Sequence, residues 1–155
     1  MSNAVAVVLH LFAINVWVGG TLFCVVILDY AAARLEPVRQ HALMHSVFRR
    51  FFSLVWFAMP VLLLSGSWMI YGMYSGLGRA PVYIVLMMAI GLLMMMIFIV
   101  TFFGPYRQYK KSVQDGEASA SQAHLARIRL LGWINVVLGA CVLVIIGGGH
   151  HLGGS

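Results

Sequence analysis

Ala4-Val-Ala-Val-Val-Leu-His10-Leu-Phe-Ala-Ile-Asn-Val-Trp17-Val-Gly19-Gly20 decides the class of this chain. It opens an apolar run that reaches Leu28 without one Asp, Glu, Lys or Arg. A helix rises 1.5 Å per residue, so about 20 residues cross the roughly 30 Å of hydrocarbon in a bilayer. Three more runs share this character, over 51–71, 82–103 and 130–149. Backbone polar groups in lipid must pair within their own segment, and none of the runs alternates at period two. All four are therefore predicted to be helices. The fold class is all-α, a four-helix transmembrane bundle, with residues 1–155 as a single four-span membrane domain and spans at about 4–28, 51–71, 82–103 and 130–149.

Composition agrees. Only 9% of the 155 residues are charged and 62% are hydrophobic, where a soluble domain is nearer a quarter charged. The few polar side chains could not cover so much apolar surface in water. Cys24 and Cys141 sit inside apolar runs with no C-x-x-C pairing and read as small apolar fillers. A cleavable signal peptide is not expected, because the first run is too long and has no basic lead-in.

The basic residues set the orientation. Arg34, Arg39, Arg49 and Arg50 fall between spans one and two, and Arg107, Lys110, Lys111, Arg127 and Arg129 between spans three and four. Only Arg79 falls between spans two and three. By the positive-inside rule the first and third loops are cytoplasmic and both termini face outward, in the bacterial inner membrane. The net charge of +6 is thus a topology signal, and no nucleic-acid partner is expected. Pro37 suits the first turn of a helix leading into span two, with Val38, Ala42, His45, Phe48 and Phe52 on one stripe. Gln114–Gln122 reads as a polar linker.

His10 poses the functional question. An ionisable side chain about two turns below a membrane surface is disfavoured by a few kcal/mol unless it is neutral and bonded, so it is a functional candidate by default. The bland alternative is a neutral imidazole bonded to a carbonyl or to interfacial water. Ile14, Trp17, Thr21, Cys24 and Leu28 continue its stripe toward other helices, and Gly19 and Gly20 admit a second helix or a flat ring. Asn15 and Asn135 sit at similar depths and could bond across the bundle. His41 and His45 share a helix face, with His124 on the same side of the membrane; together they could hold a metal or a heme iron, or be solvated interfacial groups. Arg49 and Arg50 suit lipid phosphate or, in Arg50, a heme propionate. Met69, Met73, Met87 and Met88 fall in the outer half with His10, and thioether plus imidazole is a soft set suited to Cu(I), with His150 and His151 as further outer donors. No triad, phosphate loop or carboxylate pair is present, which leaves hydrolytic chemistry without a base other than His.

Leu9-His10-Leu-Phe-Ala-Ile-Asn-Val-Trp17-Val-Gly19-Gly20 resembles the opening helix of the CopD-like membrane domains and of the related HemJ family of heme-binding protoporphyrinogen oxidases. The likeness continues in Met44-His-Ser-Val-Phe-Arg49-Arg50, in Pro60 and Gly66, and in the segment from Arg129 to Asn135. It implies a membrane bundle linked to heme b or to copper. In the first case the protein is a b-type heme protein with a redox or heme-related role, His10 as axial ligand, Trp17, Gly19 and Gly20 shaping the ring pocket, and Arg50, His45, His124 and Asn135 as further contacts. In the second it handles copper, in transport or delivery. A third reading makes it a non-catalytic subunit of a respiratory complex; a homodimer or a larger membrane complex is the expected setting. The chain departs from the HemJ pattern after Asn135, where Val136-Val-Leu-Gly139 stands in place of an acid and a proline. It also lacks that family's Lys early in span three and His near its end. Protoporphyrinogen oxidation is accordingly not expected, and any enzyme activity would be that of a heme-dependent membrane oxidoreductase.

Overall fold

A computed structural model of the chain describes residues 3–152, with the side chains of residues 3–147. Among the described residues there is no strand, and four long helices account for the architecture. Helix α1 spans Asn3–Ala32, α2 Pro37–Tyr74, α3 Val82–Gln114 and α4 Ala118–Leu152. All four are long and apolar enough to cross a membrane.

The helices overrun the predicted spans, and mostly at one end. Pro37 stands in the first turn of α2, as its fixed φ and missing N–H favour. The turn between α3 and α4 is confined to residues 115–117, with Gly116 at φ +72°. Ser119, Ala120 and Ser121, expected in a linker, are already helical. At the other end α2 stops at Ser75 and Gly76, both with positive φ, before a short 3-10 turn at Leu77–Arg79.

α1 packs on α2 and on α4, and α4 packs on α3. An aromatic ladder closes the ring between α2 and α3: Phe52 lies 5.5 Å from Phe98 and 4.5 Å from Tyr106 between ring centroids, both nearly edge-on. Small residues set the α1–α4 spacing. A Cβ on Gly132 would lie 2.7 Å from Val25, and one on Gly139 2.9 Å from Val18. The predicted stripe of α1 does face inward, with Trp17, Thr21, Cys24 and Leu28 buried. The predicted stripe of α2 does so only in its second half: Phe48 and Phe52 are buried, but Val38 is 81% exposed and Ala42 is exposed, and Gln40, His41 and Met44 complete the buried face. Tyr109 and Ser121 draw that face toward His41, a partnership no local periodicity reveals.

Two stretches of α1, Asn15–Gly19 and Phe23–Leu28, are π-helical and flank Gly20–Leu22. Such wide turns rotate side chains relative to a regular α-helix and recur at functional sites. Here they present Trp17, Thr21 and Cys24 to the interior.

Candidate metal-handling sites in the bundle

Three polar places interrupt the apolar interior. The first is His10. Its Nδ1 lies 2.9 Å from Ser65 Oγ on α2, and Gly66 leaves room for the ring, whose Cε1 would sit 3.4 Å from a Cβ there. Ser65 donates its own proton to the Val61 carbonyl at 2.6 Å, so its oxygen meets His10 as an acceptor. The Leu62 backbone also bonds the ring, so α2 holds the imidazole at two points. Bonds of this kind orient an imidazole that serves as a metal ligand.

The second place is a partly open cavity of about 50 Å³ lined by all four helices. Its wall includes Trp17, Cys24, Met44, Thr101, Arg129 and Asn135. Arg129 pairs with Asp29 across α1 and α4. Asn135 is 6% exposed, and neither its Oδ1 nor the Arg129 Nε has a hydrogen-bond partner. Asn15 does not reach Asn135: it is exposed and donates to the Leu11 carbonyl of its own helix at 2.9 Å. The expected cross-bundle amide pair is thus absent. A lipid-facing amide satisfies itself on its own backbone, while the Asn135 Oδ1, on α4's buried face, meets no donor.

The third place lies at the end of the bundle holding the 33–36 and 115–117 turns. Ser121 donates to the Ala118 carbonyl at 2.9 Å and so accepts from His41 Nε2 at 3.2 Å. The Tyr109 hydroxyl stands 3.1 Å from His41 Nδ1 and serves it as donor. Both ring nitrogens of His41 are engaged, which makes it a tie between α2, α3 and α4 rather than a ligand. Among the described residues no three His, Cys, Asp or Glu side chains converge on a common point. His41, His45 and His124 therefore do not form the imidazole cluster that their positions allowed. His45 is half-buried, and His124, also half-buried, keeps a buried Nδ1 without a partner.

The remaining candidates divide by surface. Met69, Met87 and Met88 are half-buried and Met73 is 54% exposed. Arg49 and Arg50 line an open groove with Ser53, Leu54 and Phe57, a position suited to lipid headgroups. His150 and His151 lie outside the described side chains. Sequence reasoning passed over Cys24 and Met44 as functional groups, since nothing in an apolar run distinguishes a cavity-lining sulfur from a packing one.

A heme does not suit the residues assigned to it. The space beside Gly20 is filled by Phe51, whose ring would be 2.6 Å from a Cβ there. Gly19 meets nothing within 4 Å, and Trp17 packs edge-on against Phe98 at 5.8 Å. His10 is level with Ser65, which lies 20 residues from His45 on α2, about 30 Å along the helix. One iron cannot take both.

Residues 45–148 match the family described as copper resistance protein D, CopD. No curated protein and no solved structure matches the chain.

Proposed function

The chain belongs to the copper resistance protein D family, and from that membership we propose that it is a copper-handling protein of the bacterial inner membrane. The ion is its cargo. Four helices able to cross a bilayer make it a multi-pass membrane protein, and the copper reading adds what the polar interior is for.

The observation that supports this reading beyond the family is His10, an imidazole kept within the apolar bundle. Ser65 Oγ and the Leu62 backbone hold the ring on α2, and a metal would take the nitrogen lone pair of the neutral ring. Keeping an imidazole in that state within the bundle costs free energy that a metal bond repays. Met69, Met73, Met87 and Met88 are the soft donors of the same half and favour Cu(I) over hard cations. The positive-inside pattern supports a periplasmic position for this half.

The test is copper movement in proteoliposomes under reducing conditions. Wild-type protein is expected to carry copper across the bilayer or to release it to an acceptor. His10→Ala is expected to lose at least tenfold of that rate, and Ser65→Ala a smaller part, because it loosens the ring without removing the ligand. Equal rates for wild type, His10→Ala and empty vesicles contradict the proposal.

A further inference from the structure

We propose that the central cavity is a cuprous-ion site, with the Cys24 thiolate as its anionic ligand and the Met44 thioether and Asn135 amide oxygen as neutral donors. This inference rests on the copper-handling reading and adds a second station, distinct from His10, together with the oxidation state of the cargo.

The lining offers lone pairs. Thr21 donates its hydroxyl proton to the Trp17 carbonyl at 2.8 Å, and Thr101 donates to Ile97 at 2.7 Å. Both protons stay within their own helices, which leaves both oxygens as acceptors toward the cavity they line. Asn135 Oδ1 is buried and unpartnered, a state that costs about 1–3 kcal/mol when nothing fills it. Cys24 and Met44, 7% and 2% exposed, add two sulfur atoms to the same wall. Arg129, the positive group in the wall, is paired with Asp29 through Nη2, while its Nε has no partner. The sulfur and oxygen lone pairs of the wall suit a soft cation.

Which cation follows from softness, size and charge. Thiolate and thioether select soft ions such as Cu(I). The space has room for an ion with water beside it. On binding, the Cys24 S–H bond breaks and an S–Cu bond forms. Copper enters and remains Cu(I), and the proton leaves to bulk water. One positive charge replaces another, so the low-dielectric interior gains no net charge.

The experiment uses the full chain in nanodiscs, titrated anaerobically with Cu(I) against a competing chelator, with X-ray absorption on the loaded protein. Wild type is expected to show sulfur scattering from copper and an affinity rising about tenfold per pH unit, the mark of one proton released. Cys24→Ser and Met44→Leu are each expected to remove one sulfur from the copper shell, while Cys141→Ser removes none. The site is overturned, with the copper reading intact, if wild type binds copper and Cys24→Ser leaves its sulfur scattering and affinity unchanged. It is equally overturned by a pH-independent wild-type affinity, a readout that needs no variant to fold. Absence of any copper uptake by wild type overturns this inference and the copper reading together.

Discussion

Two histidines show how a hydroxyl decides what an imidazole can do. Ser65 gives its proton to the Val61 carbonyl and meets His10 through one ring nitrogen, Nδ1. Around His41, Ser121 receives a proton and Tyr109 supplies one, so both nitrogens are consumed. His41 is then a structural group, and removing one partner has a definite cost. Tyr109→Phe deletes the hydroxyl of a fully buried residue and leaves Nδ1 unsatisfied, with an expected loss of about 1–3 kcal/mol. Thermal unfolding in detergent reads this, and copper transport is expected to persist in folded protein. Asn135 should behave in the opposite way. Asn135→Leu removes an unpartnered buried amide and is expected to raise the apo protein's melting temperature while weakening copper binding, the usual exchange of function for stability. A lower melting temperature for that variant would show that the amide is already satisfied.

Among the helices, α1 is the one most shaped by its neighbours. Its two π-helical stretches flank the residues that meet the cavity, and its contact with α4 depends on absent side chains. Gly139→Leu would drive a side chain into Val18; overpacking of this kind costs about 1–3 kcal/mol. The loss is expected to be recovered in part by Val18→Ala, and a double-variant cycle in detergent unfolding measures the coupling. The helices themselves were legible from apolar length, and the inward stripe of α1 from its spacing, since Trp17, Thr21, Cys24 and Leu28 repeat at helical intervals. The buried face of α2 was legible only at Phe48 and Phe52. Its lead-in carries apolar residues on more than one side, and what fixes the rotation is His41 meeting Tyr109 and Ser121, residues 68 and 80 positions away. Local pattern cannot carry information over that separation. The same limit hid the cavity: Cys24 and Met44 look like filler until α1 and α2 are set side by side.

At the scale of the molecule, the charged turns gather at one end of the bundle and His10 lies toward the other. The positive-inside rule predicts that those turns are cytoplasmic. Single cysteines at Glu36 and at Gly78, in a background with Cys24 and Cys141 replaced, should therefore react with an impermeant thiol reagent from opposite sides of intact cells, Gly78 from the periplasm. Reversed labelling would put His10 on the cytoplasmic side. The proposed copper scheme has two stations, His10 and the central cavity. The most direct measurement of that scheme is the copper content of the purified chain after anaerobic loading with Cu(I), by elemental analysis against protein concentration. Stoichiometric copper that falls in His10→Ala and in Cys24→Ser is the expected result. Copper no higher than in a control membrane protein carried through the same loading would contradict it.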